Sequence, residues 1–324
     1  MRVNLEQLRS FVEVADVANF TRAAERLHLA QPSLSRQISA LENDLGSALF
    51  HRGRNGSRLT AAGEALLPLA RRMLADAESV RRELAELAGL QRGRVRLGAT
   101  PTLSVGLVAE ALTIFRDTHP GVDLHLSEQG SRRLLDELAG GELDLALITT
   151  THAAPFERVT VTPLLVEELV VVWSAAGPSV TSSPAISLAE VAELPQIAFS
   201  TSYDLRGATD AAFRDADLTP DIVVQGGEMD AVLRFAERGL GVAIVPAMAL
   251  IDRPRLRSVR LVQPRLTRTI SLARPADFEP SPAVRAMQGT LAKTALALAD
   301  RHPGMLDASV TGAASTRERV GTPQ

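Results

Sequence analysis

The chain has 324 residues, 45% of them hydrophobic and 23% charged, with a formal net charge of −3. That is an ordinary globular balance, and the length fits about two domains. There is no cysteine, which excludes disulfides and thiolate catalysis. No apolar run approaches the roughly 20 residues needed to span a membrane, and the opening MRVNLEQLRSF has no signal-peptide layout, so a cytoplasmic location is expected. Lys293 is the one lysine, which leaves 34 arginines. Guanidinium groups suit phosphates and base edges, but arginines spread along the chain fit a genome-wide compositional bias better.

Leu5, Leu8, Phe11, Val12 and Ala15 follow helical spacing and predict a first helix. Asn19-Phe20-Thr21 interrupts it. Thr21 is the expected N-cap of a second, short helix from Arg22 to His28, with Ala23, Ala24 and Leu27 as its packing face. Gln31 or Pro32 opens a third helix, because proline suits a first helical position. Within QPSLSRQISALENDLG, Leu34, Ile38, Leu41 and Leu45 fall on one side and predict a core face. The other side presents Gln31, Ser33, Ser35, Arg36 and Ser39, with no acid before Glu42.

Two short helices, a tight turn and a longer helix with a polar outward face make a helix-turn-helix layout. In such units the second of the two helices joined by the turn, here the one opened by Gln31 or Pro32, enters the major groove. Glutamine can pair bidentately with adenine and arginine with guanine, while serines and helix-start amides suit phosphates. A plain solvated helix face would look the same. The following LFHRGRNGSRLTAAGE holds Asn55-Gly56, a tight-turn pair between two short extended pieces that carry Arg52, Arg54 and Arg58. A hairpin wing there would set arginines over phosphates or in the minor groove. Residues 1–60 hold 8 arginines against 6 acids, so the expectation is a local basic surface, not a basic domain.

From Ala61 to about Leu90 a single long helical pattern follows. Leu66, Ala70, Met73, Ala77, Val80, Leu84 and Leu87 alternate in steps of four and three, a heptad seam. The seam predicts a coiled-coil contact between two copies; an amphipathic helix packed on its own domain is the alternative. Pro68 should bend or strain the early part.

Gln91-Arg92-Gly93-Arg94 breaks that helix. Short apolar runs then alternate with helical patterns: VRLGA, DLHLSE, LDLALI, LVVVWS, QIAFS, DIVVQ, GVAIVP and TISLAR. The alternation predicts βαβ units in mostly parallel sheets. Ligands in such folds sit beyond the carboxyl ends of strands, near helix starts. Several of these strand ends are rich in hydroxyls or amides: Thr100 and Thr102, Ser131, Thr149, Ser200 and Ser202, and Gln225. Together they could line one polar site for a small molecule such as a carboxylate or another anion; singly, each serine or threonine also fits a helix cap. Gly239-Leu240-Gly241 precedes a strand and lacks the dinucleotide context. There is no P-loop, no nucleophile elbow and no histidine pair at metal-ligand spacing. No metal, cofactor or catalytic residue is therefore expected, and a metabolic enzyme or a simple small-molecule-binding protein is the alternative reading. Residues 304–324 lose periodicity and read as a disordered tail.

Phe20-Thr21-Arg22-Ala23-Ala24, then Leu29-Ala30-Gln31-Pro32-Ser33-Leu34-Ser35-Arg36-Gln37-Ile38, Leu41-Glu42, Leu45-Gly46, Leu49-Phe50, Arg52 and Leu59-Thr60-Ala61-Ala62-Gly63 resemble, in this order, the signature of LysR-type transcriptional regulators. The resemblance implies an α/β chain with three parts. Residues 1–60 would be a winged helix-turn-helix that reads double-stranded DNA. Gln31, Pro32, Ser35 and Arg36 would touch it, and Arg52 would be the wing arginine. Thr21, Ser33, Ser39, Arg54 and Thr60 complete the expected DNA-binding set. Residues 61–91 would be a linker helix joining copies into a dimer or tetramer, with Leu66, Met73, Val80, Leu84 and Leu87 at the contact. Residues 92–303 would be a two-lobed effector domain like a periplasmic binding protein. Lobe I would span about 92–163 and 268–303, and lobe II about 164–267, with a small molecule in the cleft. Family effector contacts fall at strand ends such as Thr100, Thr102, Ser200 and Ser202; Ser131, Thr149 and Gln225 are added to that set. The implied function is allosteric, sequence-specific control of transcription, with RNA polymerase as a partner.

Overall fold

The computed structural model describes residues 3–53, 56–87, 93–150, 158–201, 203–276 and 279–308. They fall into two compact units, one drawn from residues 1–93 and 136–144, the other from 94–135 and from 145 onward.

The first unit holds α1 (Leu5–Val17), α2 (Phe20–Arg26), α3 (Gln31–Leu45), the hairpin β1 (Phe50–Gly53) and β2 (Gly56–Leu59), and α4 (Ala61–Leu87). Asn4 and Gln7 form a capping box at the start of α1. At α2 the cap is Asn19, whose Oδ1 accepts from the amides of Thr21 and Arg22 at 2.9 and 3.1 Å. The expected cap, Thr21, therefore lies inside the first turn. Asn and Thr both cap helices, and the earlier residue had the extended backbone a cap requires.

The core of this unit is the apolar face read from the spacing. Leu8, Phe11, Val14, Leu34, Ile38 and Leu41 are buried, and Phe50 packs its ring on Phe11 and Phe20 at 5.4 and 5.6 Å. Each such side chain contributes about 1.5–3 kcal/mol by leaving water. Gly63 marks the tightest approach, because a Cβ there would lie 2.3 Å from the Leu49 carbonyl oxygen.

α4 carries two apolar stripes where the heptad template joined them into one. Ala62, Leu66, Ala70 and Leu74 pack on the core of their own unit. Leu69, Met73 and Val80 are 41%, 50% and 55% exposed. Leu66 is thus an intramolecular contact, contrary to its expected place in a dimer seam, since the first turns of α4 are needed to cover α1. The side chains of Leu84 and Leu87 lie outside the described residues. Pro68 sits on an exposed face and α4 runs through it without a break.

From residue 94 onward, all in the second unit except residues 136–144, which include the end of one helix, strands and helices alternate. They are β3 (Arg94–Ala99), α5 (Pro101–Leu103), a π-helical turn (Ser104–Val108), α6 (Ala109–Thr118), β4 (Asp123–Glu128), α7 (Ser131–Ala139) and β5 (Leu145–Thr150). Then come β6 (Val159–Ser174), β7 (Ala185–Ser187), α8 (Leu188–Ala192), β8 (Gln196–Phe199), α9 (Asp204–Asp215), β9 (Ile222–Gly227) and α10 (Met229–Glu237). The chain closes with β10 (Ala243–Pro246), a 3-10 turn (Ala247–Leu250), β11 (Leu256–Val262), β12 (Thr267–Pro275), α11 (Pro282–Arg301) and β13 (Leu306–Asp307).

One sheet has the order β4-β3-β5-β12-β6-β11-β7, with β10 and β13 also on β6, and β8 pairs β9 separately. The 16-residue β6 passes through both halves. Its first part, Val159 to Glu168, pairs with β12, and its last part, from Leu169, pairs with β10 and β11. Two apolar clusters lie on either side of this passage. One is built around Val95, Leu97, Leu107, Phe115 and Leu145, the other around Val171, Trp173, Ile197, Phe213 and Val232.

The sheets are mixed, not mostly parallel: β12 and β6 run antiparallel to their neighbours β5, β10 and β11. A chain that leaves one lobe and returns to it must bring back a strand of opposite direction, which a local βαβ reading does not foresee. Residues 304–308 do not belong to the expected disordered tail, because Leu306 is buried and β13 pairs with β6. The remainder, residues 309–324, lies outside the described residues.

Candidate functional site

Two surfaces draw together the polar residues singled out above. The first is the outer side of α3. With Leu34, Ile38 and Leu41 holding one face to the core, Gln31, Pro32 and Arg36 are exposed and Ser33, Ser35 and Ser39 are half-buried beside them. Gln31 Nε2 reaches Ser35 Oγ at 3.5 Å, and Arg36 Nε donates to the Pro32 carbonyl at 3.3 Å. The side chains therefore lie along the first two turns of the helix. Ala30, not a polar residue, precedes the helix, so no side chain caps its first amides.

The hairpin beside α3 is antiparallel, with Arg52 opposite Ser57 in the register. The side chain of Arg52, and Arg54 entirely, lie outside the described residues. Thr60 is committed elsewhere: its Oγ1 donates to the Ala48 carbonyl at 2.7 Å and accepts from the Gly63 amide at 3.1 Å, closing the start of α4. Glu42 Oε1 accepts from the amides of Leu49 and Phe50 at 2.8 and 3.4 Å. This carboxylate ties the recognition-type helix to the hairpin, a role its place in the sequence did not announce.

The second surface is a cavity of about 450 Å³ in the other unit, within the size range of small-molecule pockets. It lies at the β6–β12 passage. One side is formed by Thr100, Thr102, Glu128, Gln129 and Thr149, the other by Leu169, Tyr203, Leu205, Ala208 and Glu228. Arg268 is buried in its wall. The guanidinium donates from Nε to Glu167 Oε2 at 2.7 Å and from Nη2 to Thr102 Oγ1 at 3.1 Å. The other Glu167 oxygen accepts from the Met248 amide at 2.6 Å. Thr100 is buried, and its Oγ1 has no hydrogen-bond partner among the described residues.

Of the expected small-molecule residues, Thr100, Thr102 and Thr149 line this cavity. Ser131 does not: its hydroxyl is exchanged with Thr149, donating to the carbonyl at 3.1 Å and accepting from the amide at 3.2 Å. Ser200 and Gln225 lie off it, on the β8–β9 pair, and Ser202 lies outside the described residues. Glu128, Tyr203, Glu228 and Arg268 were missed. The only sequence signal for Arg268 was its place at the expected return crossing. Beside the passage, Glu168 binds Arg260 at 3.0 Å and also Arg265. Burial opposes its ionisation, but the hydrogen bonds and charges of the two arginines prevail and hold its carboxyl below the usual range.

Residues 5–64 match the family of bacterial regulatory helix-turn-helix proteins of the lysR type, and residues 88–295 match the LysR substrate binding domain. The chain belongs to the LysR family of transcriptional regulators. Its relatives and family are regulators of transcription, not enzymes. Similar to it is the "Probable nitrogen assimilation transcriptional activator" of Synechococcus elongatus, 30% identical over 87% of this chain and 92% of the relative. A full-length OxyR variant from Pseudomonas aeruginosa has the same fold, with a TM-score of 0.68 and 26% identity over 91% of this chain and 95% of that one. Full-length CbnR in complex with its target DNA matches with a TM-score of 0.53 and 25% identity over 90% and 99%. As a LysR-family chain, it joins an N-terminal helix-turn-helix domain to a C-terminal substrate-binding domain.

Proposed function

We propose that this LysR-family chain binds promoter DNA as a homo-oligomer through the outer face of α3 and the adjoining hairpin, and that a small polar molecule in the β6–β12 cavity sets how it does so. The observation that carries the reading is the division of labour along α3. Three fully buried apolar residues fix the helix, and Gln31, Pro32, Ser35 and Arg36 are left on the side away from the core. An arginine and a glutamine at a helix start suit guanine and adenine edges, and Ser33 and Ser39 suit phosphates. The likeness to CbnR, solved on its target DNA, supports the same use of this unit. Met73 and Val80 on α4 supply the contact between copies, and the cavity's threonines and helix starts receive a carboxylate or other acidic group. Effector binding acts by favouring one arrangement of the two lobes, which requires unequal affinity for the two states. The protein works in the cytoplasm and signals to RNA polymerase; among the described residues no helix is long and apolar enough to cross a membrane.

Footprinting on the DNA flanking its own gene tests this, with and without a pooled metabolite extract. The expected result is two protected half-sites about one helical turn, or a multiple of it, apart, weakening steeply with salt and shifting when the extract is added. Absence of protection at every salt concentration would refute it.

A further inference from the structure

We infer that the molecule bound in the cavity is a zwitterion of the α-amino-acid class, with its ammonium group taken between Glu128 and Glu228. The inference rests on the reading of this cavity as the effector site. The argument begins from charge. Two carboxylates line the cavity, Glu128 at the end of β4 and Glu228 at the start of α10, one on each side. Neither makes a side-chain hydrogen bond or ion pair among the described residues, and Glu228 does not cap its own helix. The one cationic residue in the lining is Arg268, and its charge is already met by the buried Glu167. The wall thus presents two unmatched negative charges and no unmatched positive one. A purely anionic ligand would meet like charges on both sides.

The second observation is Thr100. Its residue is only 6% exposed, it lines the same cavity, and its hydroxyl lacks a partner among the described residues. Leaving a buried hydroxyl unpaired is costly; its oxygen lies just beneath the cavity surface, and a rotation of the side chain would let a ligand carboxylate oxygen accept its proton. Thr100 lies on the Glu128 side, near Gln129 and Gly130 at the opening of the nine-residue α7, where helix-start amides also favour a carboxylate. Ligand polarity follows: carboxylate toward Thr100 and α7, ammonium toward the two glutamates. Glu128 and Glu228 stand on opposite sides, so one ammonium shared between them offsets part of their combined negative charge and draws the sides together, which couples the charge of the ligand to lobe closure.

The test uses the full-length protein with three probe sets in calorimetry and thermal melting: the twenty free α-amino acids, their N-acetyl derivatives, and the dicarboxylates succinate and malate. At least one free amino acid should bind and raise the melting temperature. Its N-acetyl derivative, which lacks the ammonium, should bind at least about tenfold more weakly, as should the free acid to Glu128→Gln and to Glu228→Gln. Ala208→Trp, which fills the cavity, should abolish binding. If only N-acetyl acids or dicarboxylates bind, and Ala208→Trp blocks them, the cavity reading stands and the zwitterion is refuted. If an amino acid binds equally well to Ala208→Trp, the cavity reading itself falls. If no free amino acid binds, the inference is overturned.

Discussion

Arg268 and Glu167 form a buried ion pair, Nε to Oε2 at 2.7 Å, at the point where β6 and β12 carry the chain from one half of its second unit to the other. Glu167 is fully buried and its second oxygen holds the Met248 amide. Both carboxylate oxygens are therefore satisfied, which is the condition under which a buried pair is tolerated. The pair also fixes Thr102 in the cavity wall, so stability and site geometry meet in one guanidinium.

Arg268→Met should destabilise the second unit by about 3–5 kcal/mol, because it leaves Glu167 buried without its cation. Urea unfolding measures this. Adding Glu167→Leu should recover part of the loss, and an unchanged unfolding midpoint in the single variant would contradict the argument.

Arg36→Ala should weaken binding to the specific operator by about 1–3 kcal/mol if the side chain reads a base. Its hydrogen bond to the Pro32 carbonyl, at 3.3 Å, is long and exposed and gives way readily. A mobility-shift titration against specific and scrambled DNA separates base reading, where only the former suffers, from phosphate contact, where both do.

Replacing Met73 and Val80 together by Asp should convert the oligomer to monomers in sedimentation, since both are half-exposed in the single chain. Leu66→Ala, by contrast, should lower the melting temperature of the first unit and leave the association state as it was, because Leu66 packs on its own core.

Asn19→Ala should cost about 0.5–2 kcal/mol by uncapping α2, and Thr21→Ala should cost less, since Thr21 is exposed and uses only its amide in the cap. Thermal melting of the two variants side by side decides between the two caps.

Glu168 gives a pH dependence. Its carboxyl is held below the usual range in the folded chain, so its contribution is complete above the unfolded carboxylate value of about 4.3 and is lost as pH falls through the lower folded value. The stability difference between the parent and Glu168→Gln should therefore be level above about pH 5 and shrink in more acid solution. A difference that grows on acidification would reverse the sign of this claim.

The first unit was legible because its signals are local: the buried set Leu8, Phe11, Leu34, Ile38 and Leu41 follows helical spacing alone. Strand positions such as VRLGA and LDLALI were legible for the same reason, as bounded apolar runs. The reading failed where the deciding interaction is distant in sequence. The first half of β6 carries Pro163, Glu167 and Glu168, and β11 alternates arginines with Leu256, Val259 and Leu261, so neither looks like a strand until β12 or β6 is beside it. The cavity shows the same limit. Thr100, Thr102 and Thr149 advertise themselves as hydroxyls at strand ends, but Arg268 and Glu228 acquire their meaning from partners far along the chain.

The single strand β6 has a consequence for how this molecule can change. Glu168 faces Thr267 across the β6–β12 ladder, and the Leu169 amide donates to the Leu266 carbonyl at 2.9 Å. The polypeptide thus departs and comes back at neighbouring positions, about 4.8 Å apart. Everything from Leu169 to Leu266 is an excursion that a two-residue hairpin turn could replace. That makes it a cassette: one contiguous exchange would swap Tyr203, Leu205 and Glu228 for another half-pocket while Thr100, Glu128 and Thr149 stay in place. On the proposed reading of the cavity, ligand preference can be recombined by halves, without touching the helix-turn-helix unit.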